Sequence, residues 1–426
     1  MFVSRLLCGA MKNDYPDSVF NWKRILLALA ALTGTAITFS WLLKSMDFFA
    51  NVSDLPEFFA ASWLACHGQG GSAYDLPRLS EIEHQVFPAL GGRAIGFYLS
   101  PPALLFLMPL ALVAPHMVQP LWFVFLLGAL LCAFGLLVRF FSISKTQSLL
   151  LWTLIIIFGP TYESLRLGQL SPLILLSLVG AFCLFKRGRD ALAAFCLSLL
   201  VIKPQLLIPY VVFLLAGGRS RAALYLLGFV AFWLSASFIL VGSNGFGAYF
   251  SVLKPVFQDP ASAGKFLADS PTFLGQLLRL AHLDVSLIIC LGIVFYILSL
   301  AAIFLIAHRF RQREDWLSVC VLCVAPLAVI GSPYLQDYDL MMLLPSITLF
   351  VRERLYAKRT PAFMLFVLIL NVVLLMPYYS WLRYGWLLGG FPLNPFFVAV
   401  LVMSIAFSTS LKSLPSAPQP QTMPRA

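Results

Sequence analysis

Between Ile25 and Ser408 the chain passes through twelve apolar stretches: 25–43, 120–138, 147–164, 169–185, 190–202, 204–217, 222–241, 285–307, 316–332, 339–351, 361–376 and 391–408. This recurrence constrains the fold more than any other feature. About 20 apolar residues in a helix cross a hydrocarbon core of roughly 30 Å. In lipid the backbone must satisfy its own hydrogen bonds, which leaves helices and closed barrels. Stretches of this length read as helices. Composition agrees: 60% of residues are hydrophobic and 11% are charged, against about 45–50% and about 25% in soluble domains. A soluble enzyme, a disordered chain and an ordinary nucleic-acid-binding domain are excluded. The expectation is an all-α polytopic membrane protein with about twelve transmembrane helices. Residues 1–410 form one integral membrane domain, and 411–426 form a disordered cytoplasmic tail.

The net charge of +11 is read as topology, because cytoplasmic loops of membrane proteins are enriched in Lys and Arg. Lys23 and Arg24 precede the first stretch, which is too long for a cleaved signal segment. Lys186, Arg187, Arg189, Arg219, Arg221, Arg309, Arg311, Arg313, Arg352 and Arg354 fall in alternate turns. Placing these turns inside puts both termini in the cytoplasm of a cell-membrane protein. It leaves two large outer segments, 44–119 and 242–284. The apolar stretch 101–115 is short and holds Pro109; as a full span it would invert every later basic turn. It is therefore expected to dip into or lie on the outer leaflet.

Cys320 and Cys323 form C-x-x-C inside an apolar stretch and read as packed residues. The five histidines have no ligand spacing. No metal site and no cofactor is expected.

The remaining ionisable residues gather in the outer turns. Asp54 follows Ser53 and precedes Pro56, a helix start. Its carboxylate can cap that helix, or act as a general base tuned by the low-dielectric boundary beside Phe58, Phe59 and Trp63. Asp47 is its rival, and Glu57 shares its helical face one turn on. Lys203 breaks an apolar stretch that begins and ends beside basic turns, so the chain goes out and returns with Lys203-Pro204 at the outer bend. A lysine at helix-centre depth costs about 2.5–3.5 kcal/mol. Lys203 either snorkels to the headgroups or serves as a cation for a lipid-linked phosphate. Glu163, Arg166 and Gln169 share another outer turn, where Arg166 and Glu163 can pair at i,i+3. Asp337 and Asp339 sit at the outer end of a late stretch and suit a sugar hydroxyl, a cation or a helix cap.

Five segments in order carry a resemblance: D-L-P-E-F-F-A-A-S-W-L through A-Y-D (Asp54 to Asp75), Y-L-S-P-P (Tyr98 to Pro102), L-x-L-G-Q (Leu165 to Gln169), K-P-Q (Lys203 to Gln205) and S-P-Y-L-Q-D-Y-D (Ser332 to Asp339). Together, over about 45 to 350, they resemble glycosyltransferase family 87 of the C-type glycosyltransferase superfamily. A mannosyltransferase that uses polyprenyl-phosphate mannose is a member. The resemblance implies inverting transfer of a sugar, mannose first, from a polyprenyl-phosphate donor to a glycolipid or glycan acceptor hydroxyl on the outer membrane face. It implies Asp54 as catalytic base. It implies substrate contacts from Lys203, Gln205, Gln169, Arg166, Glu57, Tyr334, Asp337, Tyr338 and Asp339. The chain departs from the family at Phe58-Phe59, where members often carry Tyr-Tyr, and at Tyr334 and Tyr338, where they often carry His.

Such a transfer needs a base for the acceptor proton, donors or cations for the departing phosphate and an apolar groove for the prenyl chain. A lipid or glycolipid transporter is the alternative. It would place ionisable groups at mid-depth in several spans, whereas here the span interiors are nearly free of charge. Nucleic acid is not an expected partner.

Overall fold

The computed structural model describes residues 53–88, 96–258, 270–280, 284–356 and most of 394–405. Nearly all of the first apolar stretch, Asp47, the stretch at 361–376 and the tail from 411 lie outside the described residues. In chain order the helices are α1 (Leu55–Cys66), α2 (Leu76–Val86), α3 (Pro101–Leu107), α4 (Pro115–Phe140), α5 (Lys145–Ile157), α6 (Gly159–Leu167), α7 (Ser171–Lys186) and α8 (Asp190–Ser198). They continue as α9 (Pro204–Ala216), α10 (Ser220–Gln258), α11 (Phe273–Leu280), α12 (Val285–Arg309), α13 (Trp316–Gly331) and α14 (Leu344–Tyr356). Short 3-10 turns stand at Gly70–Ser72, Met108–Leu112, Leu199–Ile202 and Asp337–Leu343. Among the described residues there is no strand. The chain is an all-helical membrane protein.

Local chemistry sets the helix ends. Asp284 caps α12, its Oδ1 accepting from the backbone N–H of Ser286 at 2.8 Å and Leu287 at 3.3 Å. His308 and Arg309 close that helix in its last turn, where cations oppose the dipole. Ser144 and Gln147 form a capping box at the start of α5, satisfying two otherwise orphaned donors. Proline stands in the first turn of α1, α3, α4, α6, α7 and α9, where its missing N–H has no partner to lose.

Among the described residues, three helices are long and apolar enough to cross a membrane: Pro115–Phe140, Ser220–Lys254 and Ser286–Arg309. Only 33%, 17% and 22% of their most apolar windows are buried inside the protein. Their outward residues are large and apolar, such as Phe125, Phe232, Ile239, Ile297 and Leu305. Apolar side chains around a helix whose faces are not covered by protein fit a lipid environment. The shorter apolar helices α7, α9 and α13 supply the packed interior, with Leu175, Leu178, Tyr210, Phe213, Val324 and Ala328 buried. Cys320 and Cys323 are buried in α13 and unbridged, as packed residues should be.

The structure departs from the hydropathy reading in three places. The stretch at 147–164 is two helices, broken at Phe158 ahead of Pro160. Inside one continuous helix Pro160 would lack an N–H to donate and its ring would clash with the carbonyl four residues back, so the chain starts a new helix with Pro160 in its first turn. The stretch at 101–115 is α3 plus a 3-10 turn instead of one continuous helix, with Pro101, Pro102, Ala103, Leu104 and Leu107 buried against protein. The expected loop at 242–284 is helical as far as Gln258. The helix breaks at Gly242, at φ 67° and ψ −178°, a region open essentially to glycine alone, and a second helical segment follows the kink. Gly70 packs on the same bend: a Cβ added there would lie 2.5 Å from the carbonyl oxygen of Leu240. Gly242→Ala is therefore expected to cost about 1–3 kcal/mol, read as a lower Tm in detergent. An unchanged Tm would show that the bend relaxes without strain.

Candidate active site

A cavity of about 270 Å³ draws its lining from segments far apart in sequence. The start of α1 contributes Asp54 and Glu57. The extended segment before α3 contributes Tyr98, Leu99 and Ser100. Gln169 follows α6, and Lys203 and Gln205 flank the first residue of α9. Tyr249 and Leu253 come from α10 beyond the Gly242 bend, and Tyr334 and Tyr338 from the turn after α13. Asp54, Ser100 and Lys203 each stand one or two residues before a proline that opens a helix. That local rule puts polar side chains at helix N-termini, whose unpaired N–H groups and dipole favour negative charge.

Asp54 precedes α1, yet its side chain makes no capping bond. Its backbone N–H donates to the carbonyl of Leu167 at 3.0 Å. Its Oδ2 accepts from Gln169 Nε2. The cap reading of this carboxylate is thus not what the geometry favours; the side chain is turned toward the α6–α7 loop and the cavity.

Glu57, one turn on, is 6% exposed. Burial first, then the negative charges of Asp54 and Glu83, push its proton affinity well above the usual carboxylate range. The folded protein therefore holds a proton on Glu57 at pH values where the unfolded chain has released it. The stabilisation is fully present below the ordinary glutamate pKa of about 4.3 and is lost as pH rises through the raised folded value. Glu57→Gln, neutral at every pH, should flatten that part of the Tm–pH profile and match or exceed the wild-type Tm at neutral pH. An identical slope in the two proteins would assign the pH dependence elsewhere.

Lys203 is 7% exposed, packed inside the protein rather than extended over its surface. Its Nζ lies 2.5 Å from Asp339 Oδ1 and 4.7 Å from the centre of the Tyr338 ring. Asp339 is held in turn by Ser171 Oγ at 3.2 Å and by the backbone N–H of Gln336 at 3.1 Å. Gln205 Nε2 donates to the carbonyl of Tyr334 at 3.2 Å, and Gln336 Nε2 to the Tyr334 hydroxyl at 2.9 Å. The late turn is thereby tied to the start of α9.

The expected site residues separate into two groups. Asp54, Glu57, Gln169, Lys203, Gln205, Tyr334 and Tyr338 line the cavity together. Asp339 stands behind Lys203. Arg166 instead pairs with Glu163, 2.6 Å from Nη2 to Oε2, and neither it nor Asp337 lines the cavity. Sequence reading assigned no role to Tyr98, Ser100, Tyr249 or Leu253. Tyr98 and Ser100 lay in a segment already singled out, Y-L-S-P-P. Ser100 Oγ donates to the carbonyl of Val201 at 2.7 Å, which fixes that segment against the turn leading to Lys203. Tyr249 and Leu253 carried no signal, since they fall where a loop was expected.

The sequence profile of glycosyltransferase family 87 matches residues 97–333, more than half of the chain. Together with the all-helical architecture, this defines a membrane glycosyltransferase. The chain belongs to glycosyltransferase family 87. The matched region holds Tyr98–Pro102, Leu165–Gln169 and Lys203–Gln205. Asp54, Glu57 and the late turn from Tyr334 fall outside it, and the cavity itself joins them to the matched segments. No curated protein gives a match to the chain.

Proposed function

We propose that the protein transfers a sugar, mannose in the first instance, from a polyprenyl-phosphate donor to the hydroxyl of a glycolipid or glycan acceptor, with inversion at the anomeric carbon. Asp54 takes the acceptor proton as the hydroxyl oxygen bonds to the anomeric carbon. The bond from that carbon to the donor phosphate breaks, and the phosphate leaves with its electron pair toward Lys203. A lysine ammonium has three donors, and Asp339 accepts one of them. The observation that carries this reading is the meeting of Asp54 and Lys203 on one small cavity. The N-termini of α1, α3 and α9 at the same cavity add positive potential for a phosphate.

The site belongs on the outer face in this reading, because basic turns lie at the other ends of α7, α8 and α9. Helix α9, Pro204–Ala216, has 13 residues, about 20 Å at 1.5 Å per residue. That is short of a hydrocarbon core of roughly 30 Å. In this reading Lys203 is recessed below the outer boundary, at a depth that a prenyl chain in the leaflet can approach sideways. Membership of a glycosyltransferase family favours group transfer over the transporter alternative, which would also need ionisable groups within several spans.

The test is purified protein supplied with a panel of radiolabelled polyprenyl-phosphate sugars and a glycolipid extract. Transfer of label from one donor supports the reading and names the sugar. No transfer from any of them, with a nucleotide sugar accepted instead, would overturn it.

A further inference from the structure

The base sits in a clamp that the transfer reaction by itself does not call for. Two hydrogen bonds run between Asp54 and the loop after α6: backbone N–H to the Leu167 carbonyl, and carboxylate from Gln169 Nε2. A carboxylate only accepts, so the Gln169 amide must present its NH2 to Asp54. Its Oε1 then faces a buried space with no hydrogen-bond partner among the described residues.

The loop is itself immobilised. Gly168 ends α6 in the left-handed region at φ 71°, a conformation that favours glycine. A Cβ there would lie 3.4 Å from the Trp122 indole and 3.6 Å from the Leu55 Cβ. Trp122 Nε1 donates to the Gly168 carbonyl at 2.7 Å. Trp122 is 7% exposed and belongs to α4, which supplies no residue to the cavity lining. A line of contacts therefore runs from a membrane helix through Trp122 and Gly168 to Gln169 and the Asp54 carboxylate.

We propose that Gln169, fixed by Gly168 and the Trp122 indole, is a positioning residue that orients Asp54 and holds its carboxylate in the ionised form. The proposal rests on the reading of Asp54 as base. Donation of a hydrogen bond to the charged form lowers proton affinity. The titratable and charged groups that line the cavity with Asp54 are Glu57 on the same helix, Lys203 before α9, Tyr98 before α3, Tyr249 on α10, and Tyr334 and Tyr338 from the late turn, beside Gln169 after α6. Only Lys203 among these carries positive charge, and it is paired with Asp339. Gln169 is the neighbour that donates directly to the base.

The experiment is the pH dependence of kcat, with the radiolabelled polyprenyl-phosphate sugar that the wild type accepts. In the wild type, activity falls at low pH as Asp54 protonates. Gln169→Ala should move that acidic limb to higher pH by about one unit, the scale of a hydrogen bond to a charged group. It should lower kcat several-fold at the plateau and leave the donor KM unchanged. Gln169→Asn, too short to reach Asp54, should behave alike while disturbing packing less. Trp122→Phe keeps the ring and removes the N–H, and should shift the limb in the same direction by less. An unmoved limb in Gln169→Ala, or a raised donor KM with the limb in place, overturns the proposal and makes Gln169 a substrate contact. Full activity in Asp54→Asn removes the base reading and this proposal with it. A wild type inert toward every donor does the same, and the three failures are told apart by which protein shows them.

Discussion

Asp54→Asn is expected to fold, bind donor as the wild type does and lose turnover by about 10²-fold or more, the usual contribution of a positioned general base. Asparagine has the size of aspartate and keeps a carbonyl oxygen that can accept from Gln169, so the clamp to the α6–α7 loop survives. It cannot take a proton at neutral pH. The helix-cap explanation predicts something different. Asparagine caps about as well as aspartate, so a pure cap would leave turnover intact, and the Asp54 side chain makes no capping bond in any case. The measurement is kcat, donor Kd and Tm on one preparation, with Asp47→Asn as a milder control. Full turnover in Asp54→Asn would sink the assignment. The search would then pass to Glu57, which lines the same cavity, before Asp337 and Asp339, which do not.

Lys203→Ala should abolish productive donor use and also destabilise the protein. Removing one partner of a buried ion pair leaves an uncompensated charge, at a cost of about 3–5 kcal/mol, and here Asp339 is 3% exposed. The Asp339 contact makes the effect on folding large as well. The two separate in the double variant Lys203→Ala/Asp339→Asn. Its Tm should recover most of the loss, because no buried carboxylate remains alone, while donor affinity stays low. Lys203→Arg keeps the charge but changes its geometry and should retain part of the activity. Donor binding restored in the double variant would show that Lys203 serves only to neutralise Asp339.

The helical class was legible in the sequence because lipid leaves the backbone few choices. Long apolar stretches near 120–138, 222–241 and 285–307 became α4, α10 and α12, extended or trimmed at their ends by caps and basic last turns. Phe158, Gly242 and the 3-10 turn at Asp337–Leu343 were not legible. Hydropathy sums side chains and is blind to the backbone dihedrals that end a helix or let one continue.

The candidate site divides along the same line. Sequence order alone determined that polar residues gather beside helix-opening prolines, because proline restricts the residue before it and is tolerated in the first turn. Asp54 and Lys203 were visible beside such prolines, whereas Ser100, before Pro101, was given no role. Which of them share a cavity was decided only by tertiary structure. Arg166 and Gln169 are three residues apart, yet one turns to Glu163 and the other to Asp54. The left-handed turn at Gly168, seated against Trp122 from another helix, separates them. Lys203 looked like a lone cation because its partner, Asp339, is distant in sequence and near only once α7, α9 and the late turn have packed. A single chain records what each segment prefers; the pairing of charges across helices depends on packing distances, which no local pattern contains.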